Sequence, residues 1–257
     1  APQPAPPPAR AGGSPRRPVG SHPPRPGGRG AAPPPPQPPD RPGGSAVAAA
    51  AADLAAAATT LAELEAAIRD WDGSELKRGA RRCVFADGAP GARVMAIGEA
   101  PGSEEDRLGK PFVGPAGRLL DRMLGAIGLA RGAERPEDRV YITNVLPWRP
   151  PGNRTPSEPE IAAFLPFLER HVALAAPEIL LLLGNTPNRA LFGGPGGIRR
   201  LRGTWRAYGG PGAEREIWSL ASFHPAYLMR QPEEKAAAWR DLLALRAVLD
   251  GADPAGL

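Results

Sequence analysis

The most constraining stretch of this chain is a short apolar run, Val94–Ile97, followed at once by a glycine-rich acidic loop. The run ends at Gly98 and predicts a buried strand. The loop occupies residues 98–106, and residues 117–129 beyond it place leucine, methionine and isoleucine on one helical face. This order predicts a parallel α/β sheet, in which ligands bind at the carboxyl ends of the strands. An ordinary strand-to-helix turn is the alternative for this stretch taken alone.

Strands and helices continue to alternate along the rest of the chain. The predicted strands are 94–97, 140–143, 178–184 and an adjacent pair, 204–208 and 216–220. The predicted helices are 47–69, 117–129, 157–174, 186–192 and 233–249. In the last helix we expect Trp239 and Leu243 to face inward. The pattern predicts an α/β fold with a central, mainly parallel four-stranded sheet, flanked by helices on both faces in three layers.

Residues 1–45 differ from the rest in composition. They are mostly proline, glycine, alanine and arginine, which predicts a disordered tail ahead of one domain at residues 46–257. The six arginines and one aspartate of the tail account for the whole formal charge of +5. Nucleic-acid binding by the folded part would therefore require a local basic patch. The tail either adds weak, salt-sensitive attraction to phosphates or has no specific role.

The cysteine content and hydropathy exclude several classes of protein. Cys83 is the only cysteine, so an intramolecular disulfide and a multi-cysteine metal site are excluded. The sequence has no run of about 18 apolar residues, and its N-terminus lacks the apolar core of a signal peptide. We therefore expect a soluble cytoplasmic protein that makes no contact with membranes.

Three predicted strand ends carry groups suited to a small planar ligand. The first offers Glu99, Glu105 and Phe112, the second Asn144 and the last His224. A carboxamide can donate and accept along one edge of a base, an aromatic ring can stack on it, and a histidine can donate to an oxygen that gains charge. A carboxylate can position water or stabilise a cation. This set favours cleavage of a base from its sugar, although a capping histidine and a loop-bracing asparagine are structural alternatives.

Six motifs in a fixed order connect this chain with a known family. They are Gly-Glu-Ala-Pro-Gly at 98–102, Glu-Asp-Arg at 105–107, Gly-Lys-Pro-Phe-Val-Gly at 109–114, Ile-Thr-Asn-Val at 142–145, Arg-Pro-Pro-Gly-Asn-Arg at 149–154 and Phe-His-Pro-Ala-Tyr at 223–227. Over about residues 60–250 the chain resembles the family 4 uracil-DNA glycosylases. The resemblance implies a DNA repair enzyme that flips uracil out of DNA and hydrolyses its N-glycosidic bond, leaving an abasic site and free uracil.

The resemblance also implies roles for individual residues. Asn144 would read the uracil edge, Phe112 would stack on the flipped base, and His224 would donate to uracil O2. The implied catalytic residues are Glu99, Glu105 and His224, with the two carboxylates near the sugar and the water. The implied substrate-binding residues are Ala100, Phe112 and Asn144. The implied DNA-binding residues are Arg149, Asn153, Arg154, Leu228, Met229 and Arg230, of which the last three lie where such enzymes push a side chain into the duplex.

One departure from the family concerns its cofactor. Members usually hold a 4Fe–4S cluster on four cysteines, and the corresponding positions here are Trp71, Ser74, Trp148 and Phe164. Thiolates are the usual ligands of such clusters. We therefore expect no cluster and no metal, and an apolar plug formed by the three aromatic side chains instead.

A second departure concerns related proteins that trap uracil covalently. They carry a glutamine after the first-loop glutamate and a histidine-containing insertion after the asparagine loop, whereas here Ala100 follows Glu99 and no insertion is present. No lysine is evident as an imine-forming nucleophile. The sequence therefore predicts a monofunctional enzyme that turns over. We also expect it to act as a monomer, on DNA of the bacterial nucleoid. The alternatives are a non-catalytic or covalent uracil-DNA-binding relative and a glycosylase for another deaminated base.

Overall fold

The computed structural model describes residues 46–211 and 216–257. The tail predicted for residues 1–45 lies outside the described residues. Within the described part, every helix is too short or too polar to cross a membrane.

A six-stranded sheet lies at the centre of the described chain. Its strands are β1 (Ala86–Gly88), β2 (Val94–Gly98), β3 (Val140–Asn144), β4 (Ile179–Leu183), β5 (Trp205–Tyr208) and β6 (Ile217–Ser222). The spatial order is β1-β3-β2-β4-β6-β5, with β3, β2, β4 and β6 parallel and the two edge strands antiparallel to their neighbours. The predicted α/β class and mainly parallel sheet are confirmed. The sheet has six strands rather than four, because two short edge strands extend the parallel centre.

Helices cover both faces of the sheet. In the described residues they are α1 (Ala46–Ala57), α2 (Leu61–Asp70), α3 (Leu76–Gly79), α4 (Ser103–Leu108), α5 (Pro115–Gly125), α6 (Glu158–Ala175), α7 (Asn185–Phe192), α8 (Ile198–Leu201), α9 (Pro225–Arg230) and α10 (Lys235–Leu249). Short 3-10 turns cover Pro136–Asp138, Pro151–Asn153, Pro232–Glu234 and Pro254–Gly256.

The first helical region is two helices rather than the single helix predicted over residues 47–69. Thr60 separates them and caps α2. The Glu63 N–H donates to Thr60 Oγ1, and Glu63 Oε2 accepts from the Thr60 N–H, both at 3.2 Å. This capping box satisfies backbone donors at a helix start. The chain can therefore change direction here without leaving those groups unpaired.

The parallel strands divide their side chains between two hydrophobic cores. In β2, Met95 and Ile97 join apolar residues of α1, α2 and α6, whereas Val94 and Ala96 join apolar residues of α5 and α10. This alternation follows from the pleat of the strand. Since both faces are buried, the strand is an uninterrupted apolar run. Two cores on opposite sides of one sheet give the three-layer architecture.

Two side chains of α10 that were predicted to face the core lie on its exposed side. Leu242 and Leu245 are buried, but Trp239 is 41% exposed and Leu243 is 46% exposed. Positions 239 and 243 are one turn apart on the same side of the helix. The predicted inward orientation of these two side chains is therefore wrong, because the core takes only the opposite stripe of α10.

An aromatic cluster joins the end of α2 to α6. The ring centroid of Trp71 is 5.3 Å from that of Phe164 and 5.2 Å from that of Phe167, in edge-to-face geometry. Trp148 is buried in the same core, although none of the ring contacts found in the described residues joins it to Trp71 or Phe164. Of the three aromatic side chains in the predicted plug, Trp71 and Phe164 are therefore in ring contact, and Trp148 shares their core without a ring contact to either.

Trp71→Ala should lower the free energy of unfolding by about 3–5 kcal/mol, because it leaves a cavity beside two packed rings. Trp239→Ala removes an exposed tryptophan and should cost only about 0.5–1 kcal/mol. Urea denaturation followed by circular dichroism measures both changes. Equal losses in the two variants would contradict the packing role of Trp71.

Candidate active site

The four parallel strands end on one side of the sheet, where a cavity of about 540 Å³ opens. Its lining includes Glu99 after β2, Asn144 at the end of β3, Gly184 after β4 and His224 after β6. The polar groups that the sequence places at separate strand ends therefore share one cavity.

Backbone hydrogen bonds continue the pairing of β2 with β3 beyond the strands. The Val145 N–H donates to the Gly98 carbonyl at 3.0 Å, and the Leu146 N–H donates to the Glu99 carbonyl at 3.1 Å. The two loops that carry the first glutamate and the asparagine are therefore fixed to each other by main-chain contacts.

Glu105 uses both carboxylate oxygens to hold the acidic loop. Oε2 accepts from the Gly102 N–H at 3.1 Å, and Oε1 accepts from the N–H groups of Val113 and Gly114 at 2.9 and 2.8 Å. These bonds join the start of α4 to the segment that leads into α5. With three backbone donors on its carboxylate, Glu105 braces the loop where it lines the cavity.

Phe112 forms part of the cavity wall in an unusual backbone conformation. Its φ is +54°, in the left-handed region that costs an L-residue about 1–2 kcal/mol. Arg131 donates to the carbonyls of Pro111 and Phe112, both at 2.6 Å, and pairs with two aspartates. Gly117 lies so close to the Phe112 carbonyl that a Cβ there would be 1.7 Å from its oxygen. These contacts hold the ring in place despite the strain.

Gly98 allows the aromatic ring and the carboxamide to approach each other. A Cβ at this position would lie 2.4 Å from Phe112 Cζ and 2.5 Å from Asn144 Oδ1. Only glycine permits so close an approach to the backbone. The end of β2 thus brings the ring and the carboxamide to one part of the cavity wall.

His224 is the N-cap of α9, and its Nδ1 accepts from the Ala226 N–H at 3.1 Å. Because Nδ1 accepts only when it is unprotonated, the neutral ring carries its proton on Nε2. Burial, and then the positive charge of Arg230, lowers the pKa of His224 to about 4. The ring centroid is 5.5 Å from that of Phe112. At neutral pH His224 is therefore both a helix cap and a neutral donor in the cavity.

Glu99 has a partner that the sequence analysis missed. Thr186 Oγ1 donates to Glu99 Oε2 at 2.5 Å, and Thr186 is 1% exposed. Thr186 lies in the first turn of α7, directly after β4. The sheet topology could have indicated this contact, because the residues that follow two adjacent parallel strands lie next to each other, and β4 is a neighbour of β2.

The rim of the cavity near α9 exposes only part of the segment predicted to enter DNA. Met229 is 48% exposed and Arg230 is exposed. Leu228 is 1% exposed and belongs to the same core cluster as Phe223, because α9 turns it inward. Of this segment, Met229 and Arg230 are therefore the exposed side chains, and Leu228 is part of the core.

The segment between β3 and α6 carries the remaining predicted DNA contacts. Arg154 makes a bidentate pair with Glu160 at 2.6 and 2.8 Å, and these bonds lower the pKa of Glu160 to about 2. Arg149 Nε donates to Asn153 Oδ1 at 2.7 Å. Asn153 and Arg154 line the cavity together with Ala100. The charge of Arg154 is thus already compensated within the protein.

Comparison with known proteins relates this geometry to a family. The Uracil DNA glycosylase superfamily model matches residues 85–243. The chain is 38% identical to the Type-4 uracil-DNA glycosylase of Sulfurisphaera tokodaii over 167 residues, covering 63% of this chain and 73% of that protein. It is 34% identical to the Type-4 uracil-DNA glycosylase of Pyrobaculum aerophilum over 184 residues, which cover 71% of this chain and 91% of that protein. It is 36% identical to that of Saccharolobus solfataricus over 190 residues, which cover 71% of this chain and 83% of that protein. The chain belongs to the uracil-DNA glycosylase superfamily.

The positions expected to hold an iron–sulfur cluster in family 4 uracil-DNA glycosylases do not fit thiolate ligation here. Trp71, Trp148 and Phe164 are buried aromatic side chains, and Ser74 Oγ accepts a backbone hydrogen bond. Cys83 lies outside these four positions, and burial raises the pKa of its thiol to about 12. Among the described residues, no group of three or more His, Cys, Asp or Glu is arranged to bind a metal ion.

The imidazole of His224 should titrate with a pKa of about 4, because protonation would charge a partly buried ring and remove the acceptor for the Ala226 N–H. The ring carbon resonances in an NMR pH titration measure this value, and His224→Ala assigns the signal. A midpoint near the ordinary value of about 6.5 would contradict the prediction.

Proposed function

We propose that this protein is a monofunctional uracil-DNA glycosylase, which hydrolyses the N-glycosidic bond of a uracil flipped out of DNA. The proposal rests on one observation: four different chemical groups line the same cavity. They are the carboxylate of Glu99, the ring of Phe112, the carboxamide of Asn144 and the neutral imidazole of His224. Such a set suits a reaction in which the base leaves with negative charge and the sugar gains positive charge. Membership of the superfamily and the names of the relatives support uracil as the substrate.

The carboxamide of Asn144 accounts for base selection. Uracil presents O4 as an acceptor beside N3–H as a donor, and a carboxamide held in one orientation offers the complementary pair. Cytosine presents the donor and the acceptor in exchanged positions, so it would leave both groups of Asn144 unpaired. The ring of Phe112 stacks on the flipped base without regard to its hydrogen-bonding pattern.

The chemical step follows from where charge develops. As the glycosidic bond breaks, its electron pair moves into uracil, and the Nε2–H of His224 donates to O2. Glu99 stabilises the positive sugar and positions the water whose oxygen bonds to the anomeric carbon. The water proton leaves for uracil, giving free base and an abasic site. Glu105 braces the acidic loop through its three backbone hydrogen bonds.

The surroundings of the cavity suit a flipped nucleotide. Arg230 lines the cavity, and Met229, which precedes it on α9, is 48% exposed. Met229 fills the gap left by the base, while Arg230 contacts the phosphates. Flipping costs a few kcal/mol, which such contacts offset. No lysine lies among the described residues that line the cavity. We therefore expect no imine between the enzyme and the sugar, and no strand cleavage. All of these groups come from one chain, and a monomer suffices.

The purified protein should release uracil from a duplex with one U:G pair and leave an alkali-labile abasic site. Under single-turnover conditions, Asn144→Ala and His224→Ala should each slow release by roughly 10- to 100-fold, since each removes a hydrogen bond to the base. Duplex binding should change little. The matched control is Glu104→Gln, which alters an exposed carboxylate of the same loop that pairs with Arg107.

Three other results would contradict this proposal. Tight binding of uracil-containing DNA without release would indicate a non-catalytic binding protein. A protein–DNA adduct that survives denaturation would indicate covalent capture. Release of another deaminated base, such as hypoxanthine, in place of uracil would change the substrate.

We also propose that the protein holds no iron–sulfur cluster. Protein prepared without oxygen should contain no stoichiometric iron or sulfide and should lack the visible absorbance of thiolate-bound iron. Trp148→Cys alone should recruit no iron, because three ligands would still be missing. Stoichiometric iron and sulfide in the wild-type protein would show that this proposal is wrong.

A further inference from the structure

The turn after β4 lies between two loops that carry proposed catalytic groups. β4 pairs with β2 on one side and with β6 on the other. Gly184 has a φ of +96°, and a Cβ there would lie 3.2 Å from His224 Cβ. Two residues later, Thr186 Oγ1 donates to Glu99 Oε2 at 2.5 Å. One turn therefore contacts both sides of the cavity.

We propose that Thr186 is a positioning residue that fixes the Glu99 carboxylate for the attacking water. The inference rests on the proposed function and deepens it. The terminal torsion of a glutamate side chain is broad, so a carboxylate needs a partner to define its plane. The hydroxyl holds Oε2, while Oε1 accepts no hydrogen bond from the described residues and is left for water. Because Thr186 is 1% exposed, little of its side chain is open to water that could compete for the hydroxyl.

Thr186 can play this role because its own turn is fixed. Asn185 Oδ1 accepts from the Ile198 N–H at 2.6 Å, and Asn188 Nδ2 donates to the Gly184 carbonyl at 2.8 Å. The branched side chain of threonine has few rotamers. The Thr186 hydroxyl is therefore held in place by its own turn. It sets the orientation of the longer Glu99 side chain, and not the reverse.

Two variants separate the hydroxyl from the shape of the side chain. Thr186→Val keeps the branched shape and removes the donor, and Thr186→Ser keeps the donor. With a uracil-containing duplex, Thr186→Val should slow single-turnover release by about 10- to 100-fold, the effect of losing a hydrogen bond to a charged group. The dissociation constant for the duplex should change less than about twofold, and Thr186→Ser should stay within about threefold of wild type. Thermal unfolding checks that both variants are folded.

The Glu99→Gln variant tests whether Thr186 acts through Glu99. In that background, Thr186→Val should cause less than about twofold further loss, since coupled residues are not additive. The matched control is Thr204→Val, which removes an exposed hydroxyl that donates to the Leu201 carbonyl. This control should retain the wild-type rate.

The outcomes distinguish this inference from the proposed function. No release of uracil by the wild-type protein would overturn both. Release by the wild type, with Glu99→Gln slow and Thr186→Val normal, would overturn only the positioning role. Additive losses in the double variant, a Thr186→Ser variant as slow as Thr186→Val, or a fully active Glu99→Gln variant would also overturn it.

Discussion

The parallel pairing of β2 with β3 and β4 is the constraint on which the cavity depends. In this register Gly98 lies opposite Asn144, and the residues that follow β4 lie beside those that follow β2. A slip of one residue would exchange the side chains of β2 between the two cores, so burial on both faces fixes the register. The distance between the first glutamate and its neighbours is thereby set by the packing of the sheet.

Several charged side chains near the cavity serve as supports. Glu105 joins two ends of the acidic loop through three backbone N–H groups, and Arg131 holds the strained backbone of Phe112 through two carbonyls. These contacts are made within the protein itself. The groups that face the cavity are thus held in place in advance, which is how a site stabilises developing charge without rearrangement.

The fold class could be predicted because the central strands are short apolar runs that alternate with helices. The two edge strands differ in how well the sequence indicated them. β5 lies within the predicted adjacent pair at 204–208 and 216–220, whereas β1 is only three residues long and depends on its partner β3. The face of α10 was harder to predict. A helix with apolar residues all around gives no signal for which stripe is buried, and the neighbouring elements left Trp239 and Leu243 outside.

The sequence by itself determined which chemical groups follow the central strands, and so placed Glu99, Asn144 and His224 at one edge of a parallel sheet. Only the tertiary structure decided what each polar group does. It put the Thr186 hydroxyl against a carboxylate 87 residues away. The physical reason is that the role of a polar group is set by the partner within hydrogen-bond distance. No local pattern encodes a partner that only the folded sheet brings near.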